Sequence, residues 1–409
     1  MYSMSRHLLV PGHNDNTFGR TEEYRVNIIR CLGRTQFPMT LQEIAEVIKI
    51  SVPTCTKLVN ELAKKRLVSK TQKQITGQGR KPATYLLNRD KFFAVGVEIL
   101  SKFLHASVVN LDFETVYEKV NRDFTLEDTS ECLQFILEFI ASTIQASGIR
   151  KSYIIGVGIG MVESMNSRIA KPIDYFQQDG LSIAQQIEKE LGLPVLIDNE
   201  TRVIAIAEQV LGIAKAVANV LVVKVSRTIG MGIIINGVVI TGSAGLSGNL
   251  SHTRFYKTSR LCYCGKKGCL GTAIGGDALF LDLKEALEND ATSIHFQRGR
   301  MDMYKYHDIL NAANEGDELS IQLVQKQGDH LGEALGNVLN LLNPELLIID
   351  GEYLMLGDLF LDAVKNGLRK TTLPGVLQNC QIKASTLGRY LSSKAGAVML
   401  FSNYNLTEI

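Results

Sequence analysis

The sequence predicts an α/β protein in which a small N-terminal domain precedes a body of two lobes. Residues 1–90 hold 15 Lys and Arg against 7 Asp and Glu, whereas the rest of the 409-residue chain is acidic. Within residues 21–90, two short helical patterns and a hairpin pattern follow each other closely. After residue 91, three strands followed by alternating helices and strands occur twice. This duplication predicts two similar α/β lobes that face a cleft.

The composition favours a soluble globular protein. Hydrophobic residues make up 45% and charged residues 21% of the chain, which is ordinary for such proteins. No stretch approaches the roughly 18 uninterrupted apolar residues of a membrane span, and the N-terminus shows no secretory signal. Cysteine is sparse outside one cluster, as is typical of a reducing compartment. We therefore expect a cytoplasmic protein with no membrane partner.

The N-terminal domain has the pattern of a helix-turn-helix. Residues 1–20 are polar and predict a mobile arm, and the first helical pattern begins at Thr21. Thr40 and Glu43 have capping-box spacing at the start of a second helix. Ser51 is a candidate N-cap for a third helix over residues 52–65, with Pro53 in its first turn. The third helix, which has a small and polar N-terminal half, is the predicted recognition helix.

A basic hairpin follows the third helix. Gly77, Gln78 and Gly79 predict a turn between two strands, which together form a β-hairpin wing in residues 21–90. Lysines and arginines surround this turn, and such cations suit phosphates or a minor groove. The predicted DNA-contacting residues are Pro53, Thr54, Thr56, Lys57, Asn60, Arg80 and Lys81. A winged helix used for protein contacts is the alternative, and the basic wing makes double-stranded DNA the preferred partner.

The body begins after Asn88. Residues 91–210 are predicted to form the first lobe, which a C-terminal helix within 391–409 completes. Residues 211–390 are predicted to form the second lobe, which contains a cysteine cluster and the helices expected to mediate oligomerisation. Strands are predicted within 92–120, 153–161 and 219–241, and the longest helix near 317–342.

Four potential zinc ligands lie close together in the sequence. Cys262, Cys264 and Cys269 fall within eight residues, and His252 lies ten residues upstream. Thiolate sulfur and imidazole nitrogen are the ligands that tetrahedral Zn²⁺ prefers. Glycines in the cluster allow the tight turn that would bring the thiolates to one metal. Three free thiols or one disulfide is the alternative, and the ligand number and spacing favour zinc.

At these residues the sequence resembles the ROK family, which groups sugar-responsive repressors with sugar kinases. The resemblance covers about residues 20–405. It rests on His252 with the run Cys262 to Leu270, and on the wing sequence Gly77 to Pro82, which is similar to the repressor branch. It implies an actin/hexokinase-like (RNase H-like) body and a zinc site near a sugar pocket. It also implies homodimers or homotetramers that bind palindromic operators.

The motifs of the kinase branch are altered. The family's first phosphate loop, D-x-G-G-T, corresponds to a run ending in Glu98-Ile99-Leu100-Ser101, where the glycines are missing. Ser226 to Gly230 replaces the second, glycine-rich loop. The family's catalytic Asp corresponds to Glu200, whose carboxylate is about one methylene farther out, and errors near 1 Å can cost about 10²-fold in rate. We therefore expect no enzymatic activity and no catalytic residue.

The implied sugar contacts are altered as well. The resemblance implies a ligand pocket formed by Asn199, Glu200, Arg202, Asn249 and His252. Relative to the family, acidic residues are lost at Asn249 and Gly271, and a cation is gained at Arg202. A sugar phosphate or an acidic sugar would suit that cation. Alternatively, Arg202 pairs with Asp198 or Glu200 and the pocket is vestigial.

The sequence as a whole predicts a DNA-binding transcriptional regulator. We expect a repressor of carbohydrate uptake or catabolism genes, controlled by a sugar or sugar derivative bound in the cleft between the lobes. One alternative is an ATP-dependent sugar kinase with an appended DNA-binding domain. Another is a constitutive DNA binder with a vestigial cleft.

Overall fold

The structure, a computed structural model, divides the chain into two units. The structure describes residues 20–33, 35, 37–72, 83–100, 102–126, 130–161, 182–388 and 391–403. Of these, unit 1 contains the residues up to 161 together with 182–200 and 392–403, and unit 2 contains 201–391. The predicted arm, residues 1–20, lies outside the described residues except for its last position.

Unit 1 begins with three helices and a small antiparallel sheet. The helices are α1 (Arg20–Gly33), α2 (Leu41–Ile48) and α3 (Val52–Lys64). The strands are β1 (Met39–Thr40), β2 (Val68–Gln72) and β3 (Ala83–Leu87), in the order β1-β3-β2.

Both predicted helix starts in this region are confirmed. Thr40 and Glu43 form the capping box of α2, in which the Glu43 N–H donates to Thr40 Oγ1 at 3.2 Å. Ser51 Oγ accepts the Thr54 N–H at 3.3 Å at the start of α3. These bonds satisfy backbone donors that a helix start otherwise leaves unpaired.

The first five-stranded sheet completes unit 1. Its strands are β4 (Phe93–Leu100), β5 (Phe103–Asn110), β6 (Thr115–Asn121), β7 (Ile154–Met161) and β8 (Val195–Asn199). Their order is β6-β5-β4-β7-β8, with antiparallel pairing up to β4 and parallel pairing beyond it. Along the chain, α4 (Ser130–Ala146) lies between β6 and β7, and α5 (Ile183–Leu191) lies between β7 and β8.

Unit 2 repeats this sheet. After α6 (Glu200–Val210), its strands are β9 (Val220–Val225), β10 (Ile229–Ile235), β11 (Val238–Val239), β12 (Leu346–Asp350) and β13 (Gln381–Ala384). Their order, β11-β10-β9-β12-β13, has the same antiparallel and parallel halves. The predicted α/β duplication is therefore confirmed.

The other helices of unit 2 pack around this second sheet. They are α7 (Gly276–Glu288), α8 (Tyr306–Asn314), α9 (Glu318–Leu342), α10 (Asp358–Thr371) and α11 (Pro374–Asn379). Helices α9 and α10 approach closely at glycines, because a Cβ added to Gly332 would overlap the Val364 carbonyl oxygen.

The last helix, α12 (Leu391–Asn403), lies on the first sheet. A Cβ at Gly96 of β4 or at Gly158 of β7 would overlap its backbone. One apolar cluster runs from Ile28 and Leu58 of the N-terminal helices to Ala94 of β4 and Leu400 of α12. The N-terminal helices and the first sheet of unit 1 therefore share a core. Among the described helices, none has the length and apolar character that crossing a bilayer requires.

Candidate functional site

The four predicted metal ligands lie on a folded-back segment, residues 252–269, which we call the cysteine loop. Short antiparallel bridges join Arg254 to Cys269 and Leu261 to Lys267. Gly265 and Gly268 adopt φ angles of +85° and +78°, a region that favours glycine. The two glycines therefore allow the turns that bring the ends of the loop together.

The structure brings all four side chains to one point. The ligand atoms of His252, Cys262, Cys264 and Cys269 all lie within 4.8 Å of one another. Cys264 Sγ is 3.6 Å from Cys269 Sγ, and Cys262 Sγ is 3.6 Å from His252 Nδ1. Tetrahedral zinc with Zn–S bonds of about 2.3 Å places its sulfur ligands about 3.8 Å apart. The cluster could therefore hold a metal such as zinc.

The cysteines of the cluster are free thiols. The 3.6 Å separation of Cys264 and Cys269 is far longer than a disulfide bond of about 2.05 Å. Burial raises the pKa of Cys269 to about 12, and hydrogen bonding to the other two thiols adds to this rise. A bound divalent cation would favour the thiolate form instead. Metal binding would therefore release protons from the loop.

The second nitrogen of His252 has a partner that the sequence did not indicate. His252 Nε2 lies 2.9 Å from Tyr263 Oη, and the two rings meet edge to face with centroids 5.0 Å apart. Tyr263 stands between Cys262 and Cys264 in the chain. Its position between two ligands was the only feature of the sequence that could have pointed to this contact. A tyrosine at such a position does not by itself predict a hydrogen bond to the histidine.

Long-range contacts fix the cysteine loop to the helices of unit 2. Glu333 of α9 accepts hydrogen bonds from Lys257 Nζ at 2.6 Å and Tyr256 Oη at 3.2 Å. Arg260 donates to Asp282 and Glu285 of α7, each at 2.7 Å. Sequence reasoning missed these contacts because the partners lie far apart in the chain.

Three of the predicted ligand-pocket residues belong to unit 2. Arg202 is 3% exposed, and its Nη1 donates to the Ser247 carbonyl at 3.2 Å. This bond brings Arg202 to the segment that continues into Asn249 and His252. Gly271, where the family has an acidic residue, leaves little room, because an added Cβ would lie 3.1 Å from the Ser251 side chain.

The other two predicted pocket residues belong to unit 1. Asn199 ends β8, and its N–H donates to the Asp198 carboxylate at 2.7 Å. Glu200 begins α6 and is buried. The Glu200 carboxylate therefore lies at a helix start, where the helix dipole favours negative charge.

Two segments of the sheets are the ones that the sequence analysis compared with the family's phosphate loops. At the first segment, the antiparallel pairing of β4 with β5 extends to Leu100 and Phe103. At the second segment, Arg227 donates to the Asp277 carboxylate of α7 at 2.8 Å.

Helix α3 has a polar outer face. Pro53, Lys57 and Asn60 are exposed, and Thr54 and Thr56 are half-buried. The Thr56 hydroxyl donates to the Val52 carbonyl at 2.8 Å and keeps its lone pairs for other donors. The opposite face, with Cys55, Leu58, Val59 and Leu62, is buried. Arg80 and Lys81 of the predicted wing lie outside the described residues.

Comparison with known proteins identifies relatives along most of the chain. The sequence model of the ROK family matches residues 94–403. A xylose repressor from Caldicellulosiruptor bescii is 25% identical over 84% of this chain and 87% of its own. The DNA-binding transcriptional dual regulator NagC from Escherichia coli is 24% identical over 91% of this chain and 90% of its own.

Solved structures share the fold. A ROK family transcriptional regulator, a homologue of the E. coli MLC protein, has a TM-score of 0.80 at 22% identity and covers 94% of this chain and 97% of its own. A ROK family glucokinase from Streptomyces griseus, in complex with glucose and AMPPNP, has a TM-score of 0.62 at 22% identity. It covers 98% of its own chain but 75% of this one. The α/β body is therefore the hexokinase-like fold of ROK proteins.

Proposed function

Because this chain belongs to the ROK family, we propose that it is a DNA-binding transcriptional regulator controlled by a sugar or sugar derivative. We propose repression of carbohydrate uptake or catabolism genes, because relatives along most of its length are named as xylose and N-acetylglucosamine repressors. NagC is named a dual regulator, so activation at some promoters is the second mode of action.

The observation that carries this proposal is the domain that precedes the family match. The match begins at residue 94, after three helices and an antiparallel sheet. The glucokinase covers 75% of this chain, whereas the solved regulator covers 94%. This difference supports an N-terminal domain shared with regulators. We propose that residues 21–90 form a winged helix-turn-helix.

In this domain, α3 would be the recognition helix. Its exposed Lys57 and Asn60 carry donors that suit base edges in the major groove. The Ser51 cap fixes where α3 begins, and the N-terminal residues of a recognition helix are the ones that contact bases. The wing, with Arg80 and Lys81, would contact phosphates, which add affinity without reading sequence.

The regulator proposal also includes the absence of kinase chemistry. Phosphoryl transfer depends almost entirely on positioning and on electrostatic stabilisation of the phosphates. The glycines missing from the run that ends at Ser101 and the Arg227–Asp277 ion pair in the segment Ser226 to Gly230 support this part of the proposal. Glu200 replaces the family's catalytic Asp. An ATP-coupled assay over a panel of hexoses tests this directly, and robust turnover would favour the kinase alternative.

We propose that the cysteine loop holds a structural zinc. Four protein ligands complete a tetrahedron and leave no position for a catalytic water. When bound, the metal would cross-link the two ends of the loop and neutralise its thiolates. The free thiols and their mutual distances support this assignment.

The proposed effector is an anionic sugar derivative, such as a sugar phosphate or an acidic sugar. Buried Arg202, hydrogen bonded to the segment that leads to Asn249 and His252, supports this class. We propose that Asn199 and Glu200 also contact the effector. To act as a switch, the effector must bind one DNA-binding state better than the other.

The assembly completes the proposal. We propose a cytoplasmic homodimer or homotetramer on a palindromic operator, because operator symmetry mirrors the symmetry of the protein. The proposed body comprises a first lobe over 91–210, completed by 391–409, and a second lobe over 211–390 with the cysteine loop and the oligomerisation helices.

Mapping the genomic fragments that the protein occupies in its native host tests the function. We expect palindromic sites upstream of sugar transport or catabolism genes, and these genes would identify the effector. Occupancy spread over the genome without any shared sequence motif would contradict the proposal.

A further inference from the structure

We propose that Tyr263 is the positioning residue of the metal centre. Its hydroxyl would hold the His252 ring in the orientation and tautomer that present Nδ1 to the metal. This inference rests on the structural zinc proposed above.

The first step is the assignment of the two nitrogens of His252. Nδ1 faces the thiol cluster at 3.6 Å from Cys262 Sγ, so Nδ1 is the ligand atom. A neutral imidazole that binds metal through one nitrogen carries its proton on the other. Nε2 is therefore the N–H donor, and Tyr263 Oη, 2.9 Å away, is its acceptor.

The second step is the role of that acceptor. Metal-bound histidines usually donate their remaining N–H to a carboxylate, a carbonyl or a water, and this bond fixes the tautomer and the ring orientation. Here the phenol oxygen occupies that position, so an effector would contact His252 Nε2 only by displacing Tyr263. The ring of Tyr263 also packs edge to face against the imidazole at an interplanar angle of 81°. The Tyr263 side chain therefore fixes both the orientation of the His252 ring and the nitrogen that carries its proton.

The third step is how Tyr263 itself is fixed. It lies directly between Cys262 and Cys264, so two neighbouring metal ligands fix its backbone. With a metal bound, a closed chain of contacts would run from the metal through Cys262 to Tyr263, and through His252 back to the metal.

The test compares two tyrosines of the same loop. Tyr263→Phe removes only the hydroxyl that meets His252, whereas Tyr256→Phe removes one that donates to Glu333. Zinc dissociation constants are measured by competition with a chromophoric chelator. We expect Tyr263→Phe to raise the constant about 10- to 100-fold and Tyr256→Phe to leave it within about twofold of wild type. Equal effects of the two variants would overturn the proposal.

A spectroscopic measurement separates positioning from packing. Long-range ¹H–¹⁵N spectra of histidine-labelled, zinc-loaded protein should show a single Nε2–H tautomer for His252 in wild type. In Tyr263→Phe, the Nε2–H proton should exchange faster with solvent. An unchanged exchange rate would contradict the role of Tyr263. A wild-type chain that binds no zinc would instead overturn the metal centre itself, so the two failures are distinguishable.

Discussion

At the scale of single residues, the metal cluster depends on side chains that are close in sequence. Three cysteines within eight residues and a histidine ten residues upstream were sufficient to predict the cluster, because short turns alone bring them together. The contacts of Glu333 could not be predicted in this way. Lys257 and Glu333 are 76 residues apart, and only the packing of α9 against the cysteine loop brings them together.

Replacing Cys269 with Ser should abolish stoichiometric zinc binding. Ser at neutral pH offers a weakly basic hydroxyl in place of a thiolate, and three ligands hold zinc less tightly than four. Zinc released per chain is measured after digestion. The matched control is Cys380→Ser, which alters a buried thiol at the C-terminal end of α11. This variant should retain one zinc per chain. Zinc retained by Cys269→Ser would contradict the assignment.

Glu333 should make unit 2 less stable in acid. Burial raises the pKa of Glu333, but hydrogen bonds from Lys257, Tyr256 and Lys370 lower it by more than burial raises it. The folded-state pKa therefore lies below the ordinary value. Its stabilisation is therefore present above the unfolded-state pKa of about 4.3 and is lost as the pH falls below it. Glu333→Gln should cost about 1–3 kcal/mol at pH 7 and almost nothing in strong acid.

Denaturant unfolding at pH 7 and in strong acid measures this difference. Asp302→Asn, a change at an exposed carboxylate of unit 2 outside the α-helices, is the control and should have little effect at either pH. A Glu333→Gln penalty that stays constant with pH would exclude the charged network as its cause.

At the scale of elements, sequence periodicity predicted most helices and strands but missed α6. Val203 to Ala207 are buried without interruption, so α6 has no polar stripe from which to recognise a helical period. The starts of α2 and α3 were predicted correctly because a helix cap depends only on residues that are close in sequence. The close packing of α9 and α10 at glycines was not predictable, because it depends on the path of a second helix.

Replacing Gly332 with Ala should destabilise unit 2. The new Cβ would overlap the Val364 carbonyl and force α9 away from α10, at a cost of about 1–3 kcal/mol. Gly375 of α11 is the control, because a Cβ there meets open space. Gly375→Ala should be neutral or stabilising by up to about 1 kcal/mol. Thermal unfolding of both variants distinguishes packing from helix propensity, and equal shifts would refute the packing account.

Replacing Lys57 with Ala on α3 should change which DNA sequences are preferred. A side chain that reads a base edge contributes about 1–3 kcal/mol of discrimination. Lys64, exposed at the other end of α3, is the control and should leave the preference intact. Selection from randomised duplexes measures the sequence preference of both variants.

Lys81→Ala should instead weaken binding to all sequences and reduce the salt dependence of binding. An identical effect of Lys57 and Lys81 would show that α3 is not the recognition helix.

At the scale of the whole molecule, two features of the sequence correspond to features of the protein: the repeat of strands and helices, and the difference in charge between residues 1–90 and the rest of the chain. Two sheets of the same strand order confirm the repeat. The basic charge of residues 1–90 belongs to the segment that precedes the family match. The identity of the effector could not be deduced from the sequence, because ligand choice depends on a few hydrogen bonds whose geometry the sequence does not give.

The most direct test of a sugar-controlled DNA-binding regulator is fluorescence anisotropy on its mapped operator. Purified protein is titrated onto the operator and onto a scrambled duplex, with and without a panel of sugars, sugar phosphates and acidic sugars. We expect the operator to bind at least about 10³-fold more tightly than the scrambled duplex. One anionic sugar derivative should weaken operator binding by at least about fivefold. Equal affinity for both duplexes, unchanged by every sugar, would contradict the account.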